Sequence, residues 1–218
     1  MASIEYYIYL IILLTSCIVG VINLKKLNNS NKCFLLLLFC TLIVEAIAPI
    51  ITKNGFSNYV VYHIFTPIQC VLVLWGYYLE IKNKIILWEI LFMVVLAFVM
   101  SFWIQPLPSI NSYYMNIEIL CFIFIVVYYF NKLLEIETEF KLKDYPLFWI
   151  SCGLLIFCVS NLFVLGTTNF LKNSDVLSNK LLITILIQIR YFSNYLYYSS
   201  FIVAFLVKQN TISSQHDK

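Results

Sequence analysis

The sequence predicts an all-α membrane protein, a bundle of seven transmembrane helices with the N-terminus outside and the C-terminus in the cytoplasm. Three observations carry that prediction. The chain is 62% hydrophobic and only 11% charged, with a mean hydropathy of +0.89, whereas a soluble domain carries roughly 25% charged residues. Seven apolar stretches each reach or approach the roughly 20 residues that a helix needs to cross a bilayer. The lysines fall between those stretches or at their ends and not inside them. Only short polar segments separate the spans, so residues 1–218 form one domain, with no room for a soluble one.

The first span, 6–24, has no Lys or Arg before it and is longer than the apolar core of a signal peptide, so it is read as a retained helix. The second, 33–52, carries Glu45. The third, 59–79, repeats Tyr59, Tyr62, Thr66 and Gln69 at intervals of three and four, which places them on one helical face with His63 at its edge. The fourth, 85–104, has one ionisable residue, Glu89, near its start. The fifth, 113–130, aligns Asn111, Tyr114 and Glu118. The sixth, 146–166, holds Asn161. The seventh, 181–207, contains Arg190 as its only charge, on one face with Asn194 and Tyr197. An arginine at the centre of a span costs roughly 2.5–3.5 kcal/mol on insertion scales, so it marks a site that needs it.

Basic residues in short loops set orientation. Loops one, three and five and the C-terminal segment hold Lys25, Lys26, Lys32, Lys82, Lys84, Lys132, Lys141, Lys143, Lys208 and Lys218; the opposite set holds Lys53, Lys172 and Lys180. Ten against three puts the N-terminus outside a cytoplasmic (inner) membrane crossed many times. At about 1.5 Å per residue, Glu45 then lies about 12 Å below the outer surface, Asn161 about 8 Å and Arg190 about 14 Å, with His63 and Glu118 within a turn or two of it. Glu45, His63, Thr66, Gln69, Glu118, Asn161, Arg190 and Asn194 are therefore expected to line one outward-opening polar pocket. Intramembrane ionisable groups face the bundle interior and pair with one another. In a sequential ring of seven helices, matching depth pairs Arg190 with Glu45 and leaves Glu118 to His63 and the ligand.

Several chemistries are excluded. No span interior has a lysine for a retinal Schiff base, two histidines are too few for a seven-helix zinc hydrolase, and there is no GxSxG, HExxH or phosphate-binding glycine loop. The seven cysteines lie in or beside spans without metal-ligand spacing, so no metal or cofactor is expected. The lysines sit at span ends, which suits lipid headgroups and not nucleic acid.

Loop five, KLLEIETEFKLKDY, sets Leu133, Ile136 and Phe140 on one face and spaces Glu137 and Lys141 as an i,i+4 pair. Span five is expected to continue there as an amphipathic helix, making residues 132–145 the docking place for a cytoplasmic or membrane partner.

In its size, its seven spans, the acidic residue of span two and the segments YHIFTPIQ and IRYFSNYLYY, the chain resembles small bacterial seven-helix integral membrane proteins with no assigned activity. The resemblance implies an architecture and no chemistry. The function expected is that of a sensor or accessory subunit, which binds a small extracytoplasmic ligand or a proton in the pocket and signals through a partner. The alternatives are an intramembrane enzyme acting on a lipid or isoprenoid with paired glutamates, Glu45 and Glu118, and a small-solute transporter.

Alkaline phosphatase fused near Pro106 is expected to be active and the same enzyme fused after Lys208 inactive. The reverse pattern inverts every depth given above.

Overall fold

In the computed structural model the chain is described over residues 4–105, 107, 109, 111–135, 142–172, 180–207 and 209, with the side chains of 168–172 and 180 outside that description. It folds as helices α1 (Ile4–Ile22), α2 (Asn29–Lys53), α3 (Tyr59–Ile81), α4 (Lys84–Val99), α5 (Ser112–Leu134), α6 (Pro146–Lys172) and α7 (Lys180–Leu206), with no strand among the described residues. Six of them, α1 to α6, are long and apolar enough to cross a membrane. With its 27 residues α7 is as long as α6, but Gln188, Arg190, Ser193 and Asn194 dilute its hydropathy.

Local sequence sets the helix ends. The Asn28 side chain accepts from Asn31 N at 2.8 Å and caps α2, and Asn83 accepts from Ile85 N at 3.0 Å to start α4. α3 stops where Lys82 turns left-handed at φ 56°. α4 runs on into a π-helical turn, Met100–Ile104, closed by Gln105 N donating to Met100 O at 2.7 Å. Such a turn inserts one extra residue and re-aims the side chains beyond it. The Gln105 side chain then donates to Ser112 Oγ and accepts from Tyr113 N, tying this turn to the start of α5.

The packing departs from a sequential ring of seven. α1, α2, α3, α5, α6 and α7 close a ring in that order, because α3 packs directly against α5. α4 lies outside, against α3, and buries only Ile86, Met93 and Ala97. The rest of its surface is apolar, with Trp88 and Trp103 more than 70% exposed, as suits a helix with hydrocarbon on most sides.

One end of the ring is filled. Phe34, Tyr77, Tyr129 and Phe201 meet there with Leu38, Leu74, Ile150 and Leu154, and Tyr77 and Ser151 share a hydrogen bond at 2.7 Å. Glu80 is buried in α3 at this end. Glu89 packs inward on α5, where it accepts from Cys121 Sγ at 3.1 Å. α5 ends at Leu134, followed by an exposed Lys132–Glu135 pair at 2.6 Å. The expected amphipathic extension over 136–141 falls outside the described residues.

α6 and α7 approach closely at Gly153. A Cβ there would sit 3.2 Å from the Tyr197 Cα and 2.8 Å from the Ser200 Cβ, and would also strike Ser200 Oγ. A contact with backbone cannot relax by a rotamer change, and overpacking of this kind costs about 1–3 kcal/mol. Gly153→Ala is therefore expected to lower the melting temperature in detergent, while Gly166→Ala, with nothing within 4 Å of its Cβ, is expected to leave it unchanged or raise it. Equal effects would place the α6–α7 contact elsewhere.

Candidate functional site

The other end of the ring is open. A cavity of about 440 Å³ lies on its axis, lined from all six ring helices and not from α4. The wall comes from the first half of α1, α3 and α5, from α2 between Thr41 and Glu45, from α6 between Phe157 and Asn161 and from α7 between Ile187 and Tyr198. Seven of the eight residues picked from sequence line it, namely Glu45, Thr66, Gln69, Glu118, Asn161, Arg190 and Asn194. Between them stand Phe65, Phe122, Phe157 and the rings of Tyr62, Tyr191 and Tyr198. This mix of apolar wall and a few convergent polar groups, at this size, is typical of small-molecule sites.

Glu45 does not pair with Arg190. Its Oε1 accepts from the Tyr9 hydroxyl at 3.0 Å and its Oε2 from the Tyr6 hydroxyl at 3.3 Å. Among the described residues the one ion pair is Lys132–Glu135, and Arg190 acts on Glu45 and Tyr62 through its field across the cavity. The reason is positional. α1 stands between α7 and α2 in the ring, so the first donors Glu45 meets are the α1 tyrosines. Tyr6 and Tyr9 are not among the residues singled out from sequence; the i,i+3 repeat in EYYIY is the signal that points to a shared inward face.

A second signal lies in proline spacing. Pro49 follows Glu45 by four residues and Pro67 follows His63 by four, so in both helices the carbonyl of the polar residue loses its helical N–H donor. The Tyr6 hydroxyl also reaches the Glu45 carbonyl, at 3.4 Å.

His63 is not part of this cavity, which corrects the expectation from sequence. Tyr62, Thr66 and Gln69 face the ring axis; His63, one residue and about 100° round the helix from Tyr62, points out toward α4. There the π-helical turn brings Ser101 within 3.0 Å of Nδ1, and the Ser109 carbonyl lies 2.9 Å from Nε2. A carbonyl only accepts, so Nε2 carries a proton and, in the neutral ring, Nδ1 accepts from Ser101. His63 and Ser101 edge a separate, almost wholly apolar hollow of about 260 Å³ between α3 and α4. Glu118 therefore has no histidine partner.

The remaining polar groups divide by what they have left to offer. Thr66 Oγ1 donates back to Tyr62 O at 2.9 Å and Asn161 Nδ2 to Phe157 O at 2.8 Å, so both present acceptors to the cavity. Gln188 and Tyr195 of α7 bond Glu5 of α1, through its Oε1 at 3.1 Å and its carbonyl at 2.8 Å, which fixes α7 against α1 around the Arg190 turn. Glu118 is 5% exposed and its Oε1 has no hydrogen-bond partner among the described residues.

No family model, curated protein or solved structure matches the chain, so the site is read from its own geometry.

Removing a donor from a buried acceptor costs about 1–3 kcal/mol. Tyr9→Phe is expected to destabilise the protein in detergent by that order, and to couple to Glu45→Gln in a double-mutant cycle. Arg190→Met combined with Glu45→Gln is expected to be closer to additive. Strong Arg190–Glu45 coupling with none from Tyr9 would restore the direct ion pair.

Proposed function

We propose that the protein is a multi-pass sensor or accessory subunit of a cytoplasmic membrane, one of the small bacterial seven-helix proteins that its pattern resembles, and that it binds a small extracytoplasmic molecule in the six-helix cavity. The observation that carries the reading is convergence: seven polar side chains that the sequence singles out, from five helices, line one cavity of about 440 Å³. Polar groups in membrane helices are costly and gather where function requires them. The ten-to-three distribution of basic residues supports an outward-facing mouth. At about 1.5 Å per residue, the 27 residues of α7 reach about 40 Å, enough for a seventh span in spite of Arg190.

The opposite end of the ring supports sensing over transport. Phe34, Tyr77, Tyr129 and Phe201 are buried side by side there and fill it, which supports a site open at one end and not a route through the bundle. A change on binding would reach a partner at residues 132–145, on the side carrying most of the lysines. The enzyme reading draws less support: the Glu45 oxygens are held by two tyrosines, and Glu45 and Glu118 do not hydrogen-bond each other.

Protein extracted from its own membrane and washed free of loose lipid is expected to release a small polar molecule on denaturation, detected by mass spectrometry in stoichiometric amount. Asn194→Leu should lower that yield at least tenfold while the protein stays folded. Release of phospholipid alone from the wild type would overturn the reading.

A further inference from the structure

The two carboxyls of the cavity are not equally provided for: both Glu45 oxygens accept hydrogen bonds, and Glu118 Oε1 accepts none among the described residues. Of the cavity's three charged groups, Arg190 and Glu45 act on each other, and Glu45 is further held by Tyr6 and Tyr9. Glu118 stands apart. It is buried, Oε1 has no hydrogen-bond partner among the described residues, and the ionisable groups within its electrostatic reach are Cys70, Tyr114, Cys158 and Tyr197. None of these is a base. A buried carboxyl left without donors is costly. Two occupants satisfy it, a proton or a cationic donor brought from outside.

The wall beside Glu118 favours the second. Phe122 lies one turn along α5, and Phe65 of α3 and Phe157 of α6 line the same cavity. Aromatic faces attract cations as well as burying apolar surface, and desolvation strengthens that attraction. Arg190, which would repel a cation, is countered by Glu45. An anionic ligand would meet the reverse, with two carboxyls against one guanidinium.

Resting on the reading of this cavity as a ligand site, we propose that its ligand is a small organic cation, an amine whose ammonium is held by Glu118 and whose body packs on Phe65, Phe122 and Phe157. The Glu118 carboxyl, with no hydrogen-bond partner on Oε1 among the described residues, then serves as the recognition group.

Three probes with one aromatic body and different charge separate the possibilities: phenethylamine, 2-phenylethanol and phenylacetate. Their binding to the full chain in lipid nanodiscs is measured by equilibrium dialysis against empty nanodiscs. The amine is expected to bind at least tenfold more tightly than the alcohol or the acid, and Glu118→Gln, which keeps the shape and loses the charge, is expected to abolish that preference. If the acid or the alcohol binds as well as the amine, the cavity remains a ligand site and the cation assignment is wrong. A preference for the amine that survives Glu118→Gln also overturns it. If none of the three binds, both readings fall. The ranking on the wild type decides the charge class even if Glu118→Gln does not fold.

Discussion

Charged side chains cannot face hydrocarbon at low cost, and the arrangement of this bundle follows from that constraint. α2, α5 and α7 each carry one acidic or basic residue inside the span: Glu45, Glu118 and Arg190. Each helix is rotated so that this residue points to the ring axis, and the rotation decides which apolar face is left outside. Once Glu45 faces inward on α2, Ile43, Ile47 and Ile50 face outward, and all three are exposed. The same rotation brings Tyr6 and Tyr9 of α1 to the carboxylate, so hydroxyls rather than the guanidinium are its first partners.

α4 obeys the constraint by having almost nothing to hide. Its sequence between Ile85 and Val99 is apolar apart from Glu89, and it takes no place in the ring. Glu89 is the exception, and it turns toward Cys121 of α5. What α4 adds beyond packing sits at its far end, where the π-helical turn presents Ser101 to His63. The bundle thus separates two polar neighbourhoods on the two sides of α3: the axial cavity, reached by Tyr62, Thr66 and Gln69, and the smaller hollow edged by His63.

The helices, their approximate limits and most of the cavity wall were legible in the sequence because each depends on local quantities. Apolar length gives a span, and a polar residue at a given depth can be compared with others once directions alternate. Thr66 and Gln69 came out together because helical spacing put them on one face, Asn194 because it shares a face with Arg190, and Glu45, Glu118, Asn161 and Arg190 because their depths agreed. Illegible were the facts that need an azimuth. Depth does not say on which side of α3 His63 emerges, and no periodicity in α4 says that α3 reaches past it to α5. The tyrosines were ambiguous for another reason: Tyr6 and Tyr9 have an amphipathic ring that suits a membrane interface as well as a buried carboxylate. Glu80 falls one residue past the end of the third apolar stretch, and α3 extends to Ile81 and carries it indoors.

The two prolines bear on stiffness. A helix resists bending through the unbroken run of hydrogen bonds along it, and Pro49 and Pro67 each remove one rung beside the cavity. In α2 the missing rung is at Glu45, whose carbonyl is left to the Tyr6 hydroxyl; in α3 it is at His63. α2 and α3 are neighbours in the ring and are joined at this end by the short segment 54–58, which includes Gly55 at φ 82°. The ends of these two helices and their connection are thus tied to the rest of the bundle with one backbone hydrogen bond fewer in each arm, which leaves side-chain packing a larger share in holding them.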